Sequence, residues 1–289
     1  MKTFTPPGAN NMNNANRNNE PEAASSETMI NRIAEALPPV APSAPRASQL
    51  RARLSARIAN SAERHRGLTT LRRGDEQWRG VVKGVRAWVL NDTGQSRSVI
   101  MQFRPGIKIP SHRHAADEEC IVLSGSLDIG DTRVGPHDFH LAPAGSRHPA
   151  LTSSEGGVAF LRGTTAGNVR GMLREYYAGW LPGKGKPATT IRADSGWRAV
   201  ADGVEIKPLL SAGEESSILL RLKPGAGVPA PAKRAVSECL LVSGEAFVGD
   251  MLLREGEYQR GPDSVPQGDT YSDIGALLYL HGHASLAEL

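Results

Sequence analysis

Gly106–Gly125 reads GIKIPSHRHAADEECIVLSG: glycine, five residues, His112-x-His114, three residues, Glu118, six residues, glycine. Val99-Ile100-Met101-Gln102-Phe103 before it and Cys120-Ile121-Val122-Leu123 after it are β-rich runs bounded by Pro and Gly, so the histidines sit where one strand leads into another. Alternate residues of a strand share a face, which points His112 and His114 the same way. Glu118 follows a short polar connection and opens the next strand, from which it can turn back toward both imidazoles. Two neutral imidazoles and a carboxylate on one side of a sheet suit a first-row divalent metal such as Zn, Fe, Mn or Ni.

Further along, Pro143-Ala144-Gly145-Ser146-Arg147-His148 is a turn followed by a strand start, and it brings His148 to the same face. A lone His-x-His is ordinary surface chemistry, whereas four ligand-type residues in this arrangement are not. The two stretches resemble the paired signatures of the cupin superfamily, G-x5-H-x-H-x3-E-x6-G and P-x-G-x2-H. That resemblance implies a small antiparallel β-barrel holding one divalent metal ion inside through His112, His114, Glu118 and His148. One departure is visible: seven residues separate Gly135 from Pro143, where the usual motif has five. The extra length falls in a loop and touches no ligand.

Outward from this motif the chain repeats itself. Trp78-Arg79 recurs as Trp197-Arg198, Pro105-Gly106 as Pro224-Gly225, Glu119-Cys120 as Glu238-Cys239 and Ser124-Gly125 as Ser243-Gly244, always 119 residues on (197 − 78, 243 − 124). A constant offset over such a span means two copies of one domain with matched strand lengths. Carrying the ligands across the repeat lands on Pro231, Lys233, Ser237 and Gln267. Proline cannot ligate and the other three are poor ligands for a transition metal, so the second barrel is expected to be metal-free. His281-x-His283 imitates the motif but falls at the end of the last strand, opposite Arg162-Gly163 of the first copy. It is not expected to ligate.

The predicted fold class is therefore all-β, a tandem of double-stranded β-helix barrels (a bicupin of jelly-roll-like barrels) behind a partly disordered, helical N-terminal extension. The expected layout is a tail with two short helices over 1–66, a metal-binding barrel over 67–165, a linker over 166–188 and a degenerate barrel over 189–289. Within the linker, Met172-Leu173-Arg174-Glu175-Tyr176-Tyr177 reads as a strand or swapped arm. The asparagine-rich start offers almost nothing to bury and is expected to be disordered. Met29, Ile30, Ile33 and Leu37 then recur at helical spacing before Pro38-Pro39. Pro38 to Pro45 reads as a stiff extended linker. A second helix follows, capped by Ser48, with Leu50, Leu54 and Ile58 in one stripe, arginines on the other faces and Gly67 at its end.

Composition narrows the function classes. The 289 residues are 39% hydrophobic and 5% aromatic, with a formal charge of +4 and no clustered basic patch with aromatics in the barrels, so direct nucleic-acid binding is not expected. No apolar run approaches a membrane span, and the N-terminus lacks the pattern of a secretory signal. The two cysteines, Cys120 and Cys239, each fall inside a predicted strand, which excludes a disulfide framework and fits a reducing, cytoplasmic setting. Cys120 lies two residues after Glu118 and should face the barrel interior, as a small apolar residue or as an oxidisable thiol beside the metal. His137 and His140 are candidates for hydrogen bonds behind the ligands or a proton relay, with surface placement as the alternative.

Within the cupins, His112-Arg-His114, Glu118-Glu119, Leu123-Ser-Gly125 and Pro143-Ala-Gly-Ser-Arg-His148 are similar to the cupin domains of ChrR-type anti-sigma factors. The preceding ALPPVAPSAP and LRARLSARI resemble the linker that follows the sigma-binding domain of such proteins. In that family a zinc-holding helical domain masks an extracytoplasmic-function sigma factor, and the cupin domain binds zinc and senses oxidative stress. Here the N-terminal zinc motif His-x3-Cys-x2-Cys is absent, because both cysteines lie in barrels. The resemblance implies a regulatory sensor with zinc in the first barrel and a sigma factor or other protein met through the N-terminal helices. The alternative is an Fe- or Mn-dependent dioxygenase acting on a small enol or diketone-like molecule, for which the same ligands would leave positions open. A small-molecule ligand and, by analogy with other cupins, a homodimer complete the expected partners.

Overall fold

The computed structural model describes residues 28–33, 35, 41–94, 96–181, 186–230, 236–261 and 268–283. The expected disordered start lies outside these residues, as do Pro231, Lys233 and Gln267. The chain divides into two compact units between Ile58 and Ala59. Residues 28–33 are helical, and a longer helix, Ala44–Arg64, runs across the division. It begins four residues before the expected cap at Ser48, because Pro45 is tolerated in a first helical turn, where its missing N–H has no partner to lose. Leu50, Leu54 and Ile58 are exposed on it. At its other end Arg64 and His65 reach Asp250 at 2.8 and 2.9 Å, and Gly67 follows with φ 89°. None of the described helices is long and apolar enough to cross a membrane.

Within Ala59–Leu289 the two repeats form two β-barrels with matching strand orders. The first large sheet runs Thr189–Ile191, Phe139–Ala142, Glu118–Gly125, Gly157–Arg162, Arg97–Phe103, Val85–Asp92, Arg79–Val82. The second runs Thr69–Leu71, Tyr258–Arg260, Val236–Val248, Ala276–His283, Glu215–Leu222, Val204–Ala212, Arg198–Ala201. All pairings are antiparallel, and short strands such as Ile107–Ile109, Leu127–Ile129 and Leu151–Ser153 make the opposite wall of the first barrel. The outermost strands are exchanged. Thr69–Leu71 precedes the first barrel yet pairs with Tyr258–Arg260 of the second, and Thr189–Ile191 precedes the second yet pairs with Phe139–Ala142 of the first. Exchange covers one edge of each sheet, which would otherwise present unpaired backbone groups.

Alternation along the central strands explains why they read as continuous apolar runs. Val99, Met101, Cys120, Val122, Ala159 and Leu161 fill the first barrel, while their neighbours Ile100, Ile121 and Phe160 point the other way, into a core shared with Leu219, Leu240 and Tyr279 of the second repeat. Strands buried on both faces lose the polar alternation of a one-sided sheet. Gly125 and its repeat partner Gly244 have φ 70° and 80°. A Cβ at either would lie 2.2 Å from a backbone carbonyl, of Gly156 and Gly275 respectively, so both copies keep glycine at the same strand bend.

Between the barrels lies a buried polar cluster. Arg162 donates to Glu238 (3.1 Å) and Glu119 (3.3 Å). Ser98 and Tyr258 donate to the other oxygen of Glu238 at 2.5 and 2.6 Å. His281, 1% exposed, is the repeat counterpart of Arg162 and shares a 2.9 Å hydrogen bond with Ser217. Its place is this interface. Burial, and then the nearby Arg162 guanidinium, push His281 down to about 3, although Glu119 and Glu215 lie 3.9 and 3.6 Å from its ring and Glu238 favours the charged form. Burial raises Glu119 in turn, so that carboxyl is a weak counter-charge. A folded value below the unfolded one means the unfolded chain takes up the proton first, so stability is complete above about pH 6.5 and falls as pH drops toward 3. At pH 4.5 this histidine should cost about 2–3 kcal/mol. Urea unfolding at pH 8 and 4.5 should show a smaller acid loss for His281→Gln than for the parent chain, and equal losses would refute the assignment.

Candidate metal centre

The turn 143–148 is held where the sequence requires it. Ser146 N–H closes the turn on Pro143 O (2.8 Å), Gly145 N–H donates to His114 O (2.9 Å) and His114 N–H donates to Ser146 O (3.2 Å). Asp117 Oδ1 accepts from Ala144 N–H at 2.6 Å. The short strands His112–Arg113 and Arg147–His148 then pair with His148 directly opposite His112. Register thus delivers two histidines that are 36 residues apart in the chain (148 − 112) to one point.

His112, His114 and His148 form a cluster in which one ring nitrogen from each lies within 4.8 Å of the others. Ring centroids are 4.8 Å apart for His112 and His114, 5.0 Å for His112 and His148, and 5.2 Å for His114 and His148. The donor chemistry fits a divalent cation. Nδ1 of His112 meets Pro110 O at 3.0 Å, and Nδ1 of His148 meets Pro149 O at 2.9 Å. A carbonyl can only accept, so both Nδ1 atoms carry the proton and both Nε2 lone pairs are free. Nε2 of His114 is buried with no hydrogen-bond partner. Burial above all, reinforced by neighbouring imidazoles, pushes His114 and His148 down to about 4, which keeps both neutral, the form that binds metal. Three convergent imidazoles, one with an orphaned buried nitrogen, make a donor set that fits a divalent cation.

Glu118 lies just beyond the triad, with Oε2 at 3.8 Å from His114 Nδ1, and it lines the same cavity as His112 and His148. Cys120 is buried in the apolar core of the barrel, and burial, with the Glu118 carboxylate second, pushes its thiol up. It stays protonated and packs as a small apolar side chain. His140 stands opposite Cys120 across the strand pair, so it too faces the interior. Its ring is 5.7 Å from that of His148, its Nδ1 lies 2.9 Å from Thr190 Oγ1 on the exchanged strand, and its Nε2 is buried without a partner. His137 is elsewhere. It occupies a turn at φ 64°, and the charges acting on it are Glu255, Arg221 and Asp138. In the second repeat Ser237 donates to His281 O at 3.1 Å. Among the described residues the His112 cluster is the only three-ligand group.

The segment expected to be a strand or swapped arm is a helix, Val169–Trp180. Asn168 caps it, accepting from Gly171 N–H at 3.2 Å. Met172, Glu175, Tyr176 and Gly179 recur at i, i+3, i+4 and i+7, the spacing of one helical face, and that face covers the histidine cluster. Tyr176 lies 5.7 Å from the His112 ring. Gly179 comes so close that a Cβ would lie 2.8 Å from His112 Cα. Glu175 accepts from Ala115 N–H (3.2 Å) and Thr165 Oγ1 (2.6 Å). Arg113, the middle residue of His-x-His, donates to Ala178 O, Leu181 O and Gly145 O at 3.2, 3.2 and 2.8 Å, placing a cation at the helix C-terminus, where the dipole favours it. The Asn168 cap and the 3.6-residue spacing were both present in the sequence as signals of this helix. Its outer face carries Val169, Leu173, Tyr177 and Trp180, which are 64–85% exposed.

Residues 67–166 match the family described as the ChrR cupin-like domain. No curated protein matches the chain in sequence. Among solved structures, a candidate dioxygenase from Nostoc punctiforme aligns with TM-score 0.55 and 15% identity, over 75% of this chain and 82% of its own. Oxalate decarboxylase from Bacillus subtilis, described with Mn(II) centres, aligns with TM-score 0.52 and 17% identity, over 74% and 76%. AerE from Microcystis aeruginosa gives 0.50 and 16%, over 72% and 96%. At these identities the likeness is one of fold. Residues 67–166, with the His-x-His and His148 cluster at that family's spacing, thus form a ChrR-like cupin domain, and the second repeat carries the same barrel fold.

Proposed function

We propose that the chain is a metal-dependent regulatory sensor related to ChrR-type anti-sigma factors. In this reading His112, His114, Glu118 and His148 hold one zinc ion in the barrel over 67–165, the barrel over 189–289 is metal-free, and the protein works in the cytoplasm as a homodimer. Four protein ligands close a tetrahedral zinc shell, which suits sensing better than turnover. The observation that carries the reading is the covering helix. Its inner face rests on His112 through Gly179 and Tyr176, and its outer face is an apolar stripe in solvent. A change at the metal therefore has a direct mechanical route to a surface. The partner is a sigma factor, met through the arginine-rich N-terminal helices.

Elemental analysis of untagged protein should give about one zinc per chain, and chelation should speed amide exchange in 169–180 if the helix reads the site. Co-purification with an extracytoplasmic-function sigma factor should depend on residues 28–64. Iron or manganese at that occupancy, with oxygen uptake on adding a diketone, would instead establish the dioxygenase. That second reading is favoured by the cavity lined by His112, Glu118 and His148, and by the fold shared with a candidate dioxygenase and a manganese decarboxylase.

A further inference from the structure

The outer face of the covering helix is a continuous apolar stripe. Val169, Leu173, Tyr177 and Trp180 recur at i, i+4, i+8 and i+11 and run the whole length of the helix. They are 70%, 64%, 71% and 85% exposed, and Leu181 just beyond them is 49% exposed. Half of the exposed large apolar side chains described in Ala59–Leu289 are these five, so the stripe is a concentration rather than part of an even scatter. At roughly 200 Å² for a large side chain, it presents on the order of 700 Å² of apolar surface, more than the largest patch of a typical monomer. Covering it once from each of two copies would bury about 1,400 Å², within the range of stable protein pairs.

The stripe is complementary to itself. Its aliphatic residues lie in the first half of the helix and its large rings in the second. Two parallel copies would set Trp180 against Trp180 and Val169 against Val169, which splays the helices at one end. Antiparallel copies set Trp180 against Val169 and Tyr177 against Leu173, each ring against an aliphatic side chain, and keep one interaxial distance along the contact. A two-fold axis then relates the two faces, as in most homodimers. Arg170 borders the stripe one residue after Val169 and comes level with the Trp180 ring of the facing copy, a position that favours a cation. The edges through which barrels exchange strands are already used inside this chain, where Thr69–Leu71 and Thr189–Ile191 pair across the repeats. We infer that the outer face of the helix Val169–Trp180 is the surface on which a second copy of this chain docks, antiparallel and two-fold, with Leu173 of each copy against Tyr177 of the other. The inference rests on the homodimer of the proposed function and assigns its surface.

Sedimentation of the full-length chain over a range of concentrations tests the surface. An interface in the lower half of the standard range is expected to have a Kd on the order of 10 μM, so the parent chain should sediment as a monomer well below that concentration and as a dimer well above it. Amide exchange measured in the dilute regime reads the single chain. Leu173→Glu and Tyr177→Lys should each weaken association at least about 10-fold, because a two-fold interface meets every substitution twice. An equimolar mixture of the two variants should associate at least about 10-fold more tightly than either alone, since one Leu173 to Tyr177 contact survives and at the other the introduced carboxylate faces the introduced ammonium. Recovery in the mixture also shows that both variants are folded. A parent chain that stays monomeric at every concentration, which would leave the stripe to a different partner, or a mixture no tighter than its components overturns the proposal. A dimer that persists in both variants overturns the surface and leaves the homodimer standing, while the sensor reading is decided separately by zinc content and sigma-factor co-purification.

Discussion

Replacing His148 with alanine should empty the first barrel of metal. The residue faces His112 across a two-stranded pair, and its Nδ1–H is committed to Pro149 O, so its free Nε2 is aimed at the cluster. Outer hydrogen-bond partners of metal ligands are worth about 10–100-fold in affinity, and loss of a ligand should exceed that. Metal that saturates the folded chain at about 100 times its dissociation constant adds about 2.7 kcal/mol of stability, which for a chain of this size is a melting shift of about 5–10 °C. Elemental analysis and thermal melts with and without chelator should show His148→Ala and His112→Ala metal-poor and insensitive to chelation. Ser237→Ala, at the matching position of the second repeat, should keep the parent's metal content. Equal metal loss in all three would place the ion outside the first barrel.

Gly179→Leu should lift the covering helix from the site. The clash would be between a new side chain and backbone, at 2.8 Å from His112 Cα and 3.2 Å from Ser111 O, so no rotamer change can relieve it. The helix has to move away, taking Met172 and Tyr176 out of contact and loosening the hydrogen bonds of Glu175 to Ala115 and Thr165. Overpacking of this kind costs about 1–3 kcal/mol, equivalent to roughly 5- to 150-fold faster opening of the segment. Amide exchange over 169–180 should accelerate by such a factor, while Leu173→Ser on the outer face should leave it unchanged. Unchanged exchange in Gly179→Leu would mean that the helix is not seated on His112.

The two substitutions probe features of different legibility. The convergence of His112, His114 and His148 is legible in their spacing, because strand alternation and a tight turn are local geometry and a histidine's direction follows from them, whereas Glu118 stands just beyond the three. The pairing of His148 with His112 needed only that the turn close, and Pro143, Gly145 and Asp117 see to that. Glu175 and Tyr176 were not assigned to the site. They belong to a helix whose more apolar stripe, Val169, Leu173, Tyr177 and Trp180, is the exposed one, so the residues of that helix point to the wrong face as the covered one. Cys120 and His140 both face the interior and are both buried, and only their neighbours distinguish a thiol packed in the apolar core from an imidazole beside His148 with a partnerless nitrogen. His137 is three residues from His140 and looks equivalent to it in the chain, but its turn at φ 64° carries it to other neighbours.

By itself the sequence determined the barrel repeat, the histidines at the motif positions of the first copy against Pro231, Lys233, Ser237 and Gln267 at those of the second, and the strand runs that build both cores, since these depend on alternation and on a constant offset of 119 residues. Tertiary structure decided what covers what. Exchange of Thr69–Leu71 and Thr189–Ile191 between barrels, the Arg162 and Glu238 cluster between them and the helix over His112 all join residues far apart in the chain. Such contacts form because each exposed edge or apolar face must be paired somewhere, and the choice of partner is set by the shape of the whole barrel pair, which no local pattern encodes.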